Sequence, residues 1–422
     1  MRTLVITVTL SLLSIGLWAQ NDFISLDRAN YDYYLKKDYK NLKKSANKIL
    51  ALGTDYYYLR LRLGILSYEK ERYAASVDNF LRARQMNPFD TISNEYIFYS
   101  YLFSGRTNDA YLFLKRVNEH QKDRQLKSIK QREGTIVYGG YSFNSYDVYK
   151  YSTNSLNYEA IESVSALNAG TQFGMGEHMR GTVGFTNLNK KSTVYSSTDS
   201  TGKYGTLTQN QLYFRLNRFF ERGWELYGFA HCLFYNTDNS TRTYGRRSSS
   251  STTLNTEVLY GLGFTKKSWY VRGGASFYHS NYSSSTQLAA EGSLSVLPFG
   301  NLNLYTTVSG MFQHDKNWGN TYQSNVEIGS KVFKYLWVEA GLLKGNSFLY
   351  SRYQGSFVNN SFLIPQSSYY GSFIIPIKKI TLTVTGNYTN NVLYSWDTTD
   401  YTRTLKVEKS SVGINTLLTI KF

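Results

Sequence analysis

The chain has 422 residues, enough for more than one domain, and Lys and Arg outnumber Asp and Glu by 47 to 30. A single cysteine excludes an internal disulfide scaffold. Beyond the N-terminus no apolar run approaches the ~20 residues that a membrane-spanning helix requires, which excludes helical spans but not a barrel of strands.

Residues 1–19 have the pattern of a secretory signal. Arg2 supplies the positive end, Leu4 to Trp18 the apolar stretch, and Ala19 a small residue at the expected cleavage point. No cysteine follows it, so a lipoprotein anchor is not expected. Export makes nucleic acid an improbable partner for the basic charge, which suits anionic lipid headgroups, acidic glycans or an acidic protein instead.

From 20 to 128 the apolar period is that of helices, with many Lys, Arg, Leu and Tyr. A 34-residue repeat fits this stretch: Tyr34 and Tyr39 recur as Tyr68 and Tyr73. The middle unit carries Leu63 and Gly64, then Phe80, Ala83 and Pro88, at spacings that resemble a tetratricopeptide repeat. The third unit holds Tyr101, Ala110 and Leu114 in register, with Gly105 at the turn between helices. Small residues at Gly64 and Ala83 admit a close neighbouring helix, and about three stacked pairs are needed to bury their apolar stripes. A generic bundle of amphipathic helices is the competing reading. Either way this segment, which carries no catalytic motif, is expected to dock a protein partner. Residues 129–133 close the basic, polar stretch that leads to the next domain.

From 134 to 422 the pattern changes to alternation of period two, the mark of strands with different solvents on their two faces. Ile380, Leu382 and Val384 alternate with threonines, and Val412, Ile414, Leu418, Ile420 and Phe422 face away from Gly413, Asn415, Thr419 and Lys421. Leu302, Leu304, Val308 and Phe312 form another such face, as do Trp269, Val271, Ala275 and Phe277. About 14 strands are predicted, near 134–144, 160–172, 179–188, 207–217, 223–236, 253–265, 267–279, 286–297, 301–313, 320–332, 335–344, 366–376, 378–390 and 406–422. Tight connections follow the even-numbered strands, at 174–177, 220–223, Lys266–Lys267, 298–300, Lys334–Tyr335 and 376–378. Longer ones rich in Ser, Thr, Asn and Tyr follow the odd-numbered strands, including Lys190–Tyr204, Thr237–Ser251 and Gly345–Pro365. Short turns on one side and long loops on the other are the pattern of an outer-membrane barrel, with the long loops outside. Heavy use of Tyr (39) and Phe (24) suits aromatic girdles at its two interfaces. A soluble β-sandwich shares the alternation but lacks the two-sided loop asymmetry.

The predicted fold is therefore α + β in two domains: an N-terminal α-helical tetratricopeptide-like array in the periplasm and a C-terminal transmembrane antiparallel β-barrel. Charge on the lipid face costs several kcal/mol, so Arg215, Glu225, Glu257, Arg272, Glu291, Glu327 and Glu339 are assigned to the lumen side. Whether they line an open path or lock a plugged barrel is left open by the sequence. Cys232 falls on the apolar face of its strand with Leu226 and Phe234, as a small filler.

No phosphate loop, zinc spacing or serine-hydrolase elbow occurs, and no cofactor, metal or catalytic residue is expected. His279 and Ser280 invite comparison with outer-membrane phospholipases and lipid A deacylases. Those enzymes place His and Ser two residues apart on one face; here the two are adjacent and point opposite ways. His231 is placed towards the lumen and His314 in a loop. In layout, a helical repeat domain followed by a barrel resembles the exporters of poly-N-acetylglucosamine and cellulose, and the smaller YaiO-type barrels. The terminal stretch from Leu417 to Phe422 is similar to the signal read by the outer-membrane assembly machinery. The resemblance implies a helical platform that recruits periplasmic machinery and a barrel that exports or transports a glycan or other envelope component. A plugged barrel acting as an anchor, and a lipid-modifying enzyme at His279, are the alternatives.

Overall fold

The computed structural model describes residues 23–114, 117, 122, 135–147, 158–176, 178–196, 199–238, 242–243, 246–247, 253–282, 285–359, 363–396 and 404–422. The signal segment, the predicted cleavage point and the 129–133 linker lie outside the described residues. Two compact units meet in sequence at Gln125 and Leu126.

Among its described residues the first unit shows six helices: α1 (23–35), α2 (Tyr39–Ala51), α3 (Tyr57–Glu69), α4 (Tyr73–Met86), α5 (Thr91–Phe103) and α6 (Thr107–Leu114). The backbone takes a left-handed conformation at Lys37, Glu71 and Gly105, each at the turn inside a helix pair and each 34 residues from the next. That spacing carries the repeat from sequence into geometry. Asp38 and Asp90 cap α2 and α5 by accepting from the backbone N–H of Asn41 and of Ile92 and Ser93. Gly64 lets α4 approach α3 closely, since a Cβ there would lie 2.8 Å from the Phe80 ring. Leu63, Phe80, Ala83 and Ala110 are buried. Pro88 is exposed in the loop that ends α4, where a missing N–H costs nothing. Charged groups tie helices together as well. Arg62 reaches Asp27 at 2.6 Å and Asn30 at 3.0 Å, while Arg60 spans Asp55 at 2.6 Å and Asn79 at 2.9 Å. Tyr56 donates to Asp27, and burial with that carboxylate beside it holds the phenol well above its ordinary pKa.

The second unit is a closed barrel of fourteen antiparallel strands. They are β1 (Ile136–Tyr146), β2 (Tyr158–Gly174), β3 (Met179–Ser196), β4 (Asp199–Phe219), β5 (Trp224–Asp238), β6 (Thr253–Lys267) and β7 (Val271–Tyr282). Then follow β8 (Ser285–Val296), β9 (Leu304–Asp315), β10 (Gly319–Phe333), β11 (Leu336–Gly345), β12 (Ile364–Ile377), β13 (Ile380–Trp396) and β14 (Thr404–Lys421). Closure runs from Ile136 opposite Lys421 to Tyr146 opposite Ser411, so no unpaired edge remains. Apolar side chains cover the outside: Leu262 is 66% exposed, and Leu167, Phe277, Phe312, Val326, Phe373 and Ile414 share that surface. A skin of this extent is stable only against lipid.

Several boundaries differ from the sequence reading. Lys190–Tyr204, predicted as a loop, is largely sheet: Lys190 pairs with Leu207 and Thr193 with Tyr204. Its Ser, Thr, Tyr and Val favour strands, and polar faces on both sides are tolerated where a strand rises past the bilayer. β4 has 21 residues, whereas a tilted span needs about 9–11. Outward-facing Asn187, Asn189, Thr208 and Asn210 hydrogen-bond one another on β3 and β4, and so mark where the apolar skin ends. Lys266 and Lys267 belong to β6, and the turn is Ser268–Tyr270, so Trp269 is not in a strand. Leu302 likewise precedes β9 and His314 lies within it. Pro365 and Pro376 both sit in β12, the first beside a register shift that removes the need for its N–H. Connections after β7 and β9 are short, so long loops follow only some of the odd strands.

Candidate functional site in the barrel lumen

The longest described connection, between β11 and β12, does not leave the barrel. Gly345–Pro365 is predicted as an outside loop; its residues 346–359 instead fold into the lumen as a hairpin, with Tyr350–Arg352 paired to Phe357–Asn359. The physical reason is its apolar content. Leu349, Tyr350 and Val358 are buried against Phe229, Leu233, Leu259, Tyr278, Tyr282 and Met311, making an apolar cluster between the hairpin and the β4–β9 wall.

Polar contacts then fix the hairpin tip. Glu291 on β8 accepts from the backbone N–H of Tyr353 at 3.0 Å and of Gln354 at 2.9 Å. Tyr278 donates to the Ser351 carbonyl at 2.6 Å, Tyr213 to that of Gln354 at 3.1 Å, and His231 Nδ1 lies 2.7 Å from that of Gly355. Arg352 on the hairpin reaches the Ser309 hydroxyl at 3.1 Å. Tyr353, Gln354 and Gly355 all have positive φ, and a Cβ on Gly355 would meet the Phe229 ring at 2.4 Å. Only glycine fits there.

Beside the hairpin tip the described residues leave a cavity. It measures about 770 Å³ and lies between the tip, contributed by Tyr353, Ser356 and Phe357, and the wall of β14, β1, β2, β3 and β4. Its surface is mixed, with Asn168, Gln172, Thr182, Thr186, Gln211 and Asn415 lining it beside Phe185, Phe219 and Leu417. Tyr138 lies across this wall over Gly170 and Gly184.

All seven charged residues assigned to the lumen lie on inward-facing strand positions, but they do not form one constellation. Arg215 and Glu225 meet at 3.1 Å, with Lys267 at the same distance from the other Glu225 oxygen and Asn217 donating to the first. Arg215 also stacks 4.1 Å from the Tyr227 ring centre and donates to Gln354 of the hairpin. Glu291 holds the hairpin backbone. Glu257 accepts from Tyr235 at 3.0 Å, Glu327 from Tyr370 at 2.8 Å, and Glu339 from Tyr305. Arg272 stands opposite Lys267 and Ser295 in the sheet.

Tyr213, Tyr278 and the hairpin tip are lumen positions that sequence reasoning did not single out, while His231, read as lumen-facing, gains Gly355 as its partner. The signal was present in the apolar Phe348–Tyr350 and Phe357–Val358 runs, which are unusual for a solvated loop. His279 faces outward against the Tyr260 ring at 5.2 Å, whereas Ser280 faces inward and donates to Gln287 at 3.0 Å. The barrel therefore separates that pair. Cys232 is half-buried on the outward face, with a free thiol.

A sealed sheet with an apolar outside and a water-lined inside defines a porin-like outer-membrane β-barrel, here with an N-terminal helical domain. The chain matches no protein-family model and no curated protein sequence. Among solved structures it is similar to a deletion mutant of the TodX monoaromatic hydrocarbon channel, with 9% identity and a TM-score of 0.49 over 69% of this chain and 91% of that one. A Pseudomonas aeruginosa FadL homologue aligns with 10% identity and a TM-score of 0.43 over 68% and 90%. A bacterial polysaccharide outer-membrane secretin aligns with 9% identity and a TM-score of 0.37 over 69% and 99%.

Proposed function

We propose that the chain is a non-enzymatic outer-membrane conduit for small polar solutes, narrowed by the inward hairpin. One observation supports this reading: the 770 Å³ cavity beside the hairpin is lined by amides, hydroxyls and charges alongside Phe185, Phe219 and Leu417. Water-filled polar lumens of this kind let solutes exchange one set of hydrogen bonds for another. We assign the helical domain to the periplasm, as a tetratricopeptide-like platform for a protein partner. The 34-residue spacing of its left-handed turns supports that part. Export of a glycan is the narrower version that the layout resemblance implies.

The apolar cluster under the hairpin favours a second reading, a plugged barrel that anchors the helical domain. Planar-bilayer recordings separate the two. A conduit gives steady unitary current, and replacing residues 348–358 with a short Gly-Ser linker raises that current several-fold. An anchor is silent in its native form. Silence before and after the replacement would overturn both the conduit and the idea that the hairpin narrows it.

A further inference from the structure

The outward surface of the barrel is recessed over β3, β4 and β5. The depression measures about 360 Å³, and its lining includes Phe173, Gly181, Val183, Leu216, Gly228 and Ala230. Sheet register explains the hollow. On β4, Leu216 stands between Gly181 of β3 and Gly228 of β5, while Phe214 stands between Val183 and Ala230. Two large side chains are thus flanked by smaller ones. A Cβ on Gly228 would have the Gly261 carbonyl oxygen, at 3.8 Å, as its nearest neighbour from another strand. In an apolar skin such a recess is filled by lipid tails, because dispersion contacts are lost wherever it stays empty.

Basic side chains border the recess at its short-turn end. Arg218 is the next outward residue of β4 after Leu216, ~6.6 Å further along the strand. Its guanidinium lies 5.5 Å from the centre of the Phe220 ring. Two strands away, the Lys266 ammonium lies 4.7 Å from the centre of the Trp224 ring and donates to the Arg222 carbonyl. Arg222 is exposed in the turn between β4 and β5, next to the exposed carboxylate of Glu221. Phe220 and Trp224 are exposed where the apolar skin ends, the place of an interfacial aromatic girdle. From this juxtaposition we infer that the barrel binds an anionic phospholipid at its short-turn edge, with an acyl chain in the recess and the phosphate between Arg218 and Lys266. The donors suit that ligand. Stacking on Phe220 uses one face of the guanidinium and leaves its in-plane N–H groups, which match phosphate oxygens in pairs. The Arg222 carbonyl takes one of the three Lys266 protons and leaves two. Lys and Arg at a membrane surface draw anionic headgroups in preference to zwitterionic ones.

The site belongs to the lipid-facing surface and is independent of whether the lumen conducts. Purified full-length protein in detergent is titrated with phosphatidylglycerol or with phosphatidylcholine of the same chains, and retained lipid is read by native mass spectrometry. One phosphatidylglycerol molecule is expected to be held about tenfold more tightly than phosphatidylcholine. Replacing Arg218→Gln and Lys266→Gln together removes that preference. Gly228→Leu fills the recess from a position with room for a side chain, and lowers affinity for both lipids by about threefold or more while the headgroup preference persists. All three positions lie on the outward face, so barrel melting stays unchanged. Equal retention of the two lipids in the unaltered protein overturns the headgroup assignment, and a preference that survives the double replacement overturns its placement. Unchanged affinity in Gly228→Leu overturns the recess as the acyl seat. Displacement of phosphatidylglycerol by an equimolar amount of lipid A gives the site to a phosphorylated glycolipid and overturns the phospholipid assignment.

Discussion

The two halves of the lumen are built from the same alternating strands yet solve opposite problems. Along β4 to β9 the inward positions include Phe229, Leu233, Leu259 and Tyr282, which hold the hairpin as a soluble protein holds its core. Along β14 and β1 to β3 they include Asn168, Gln172, Thr182, Thr186 and Asn415, which line the cavity. The lesson is that inward does not mean wet. The solvent of an inward face is set by what folds over it, and an eighteen-residue connection decides that here.

The contrast gives its own tests. The largest effect is expected at Leu259, fully buried beneath the hairpin. Leu259→Ala removes packing and leaves a cavity, lowering unfolding stability in urea titrations by about 2–4 kcal/mol. Thr182→Ala in the open half, measured the same way, shifts it by less than about 0.5 kcal/mol. Equal losses at both sites would erase the distinction. Next comes Gly355→Val, which drives a branched side chain into the Phe229 ring from a backbone with φ of 76°. It should loosen the hairpin by about 1–3 kcal/mol and raise open-channel current with little change in the barrel's own melting. Smallest is Tyr278→Phe, which leaves the Ser351 carbonyl without that donor. About 1 kcal/mol of local stability is at stake, visible as faster hydrogen exchange in residues 350–359 and absent elsewhere in the barrel.

The barrel was legible in the sequence because lipid on one side and water on the other enforce a strict period of two. Every one of the fourteen predicted strands overlaps an observed one. Strand ends were less legible. Above the bilayer both faces of β3 and β4 meet water, the alternation fades, and Lys190 to Tyr204 looks like a loop although it pairs as sheet. The inward direction of Arg215, Glu225 and Glu291 follows from parity along the strand. Their partners do not, because Gln354, Gly355 and the backbone N–H of Tyr353 arrive from a connection more than a hundred residues away in the case of Arg215 and His231. Period and parity describe a wall; they are silent about what folds against it.

Strand length has one more consequence. β2, β3 and β4 run for 17, 18 and 21 residues, whereas β7, β8 and β9 on the far wall run for 12 each. At ~3.3 Å per residue, the taller side overtops the shorter by roughly 15 to 30 Å before tilt is allowed for. Among the described residues, the hydrogen-bonded ladder therefore reaches farther from the short turns along β2–β4 than along β7–β9, so the sheet is braced unevenly around its circumference.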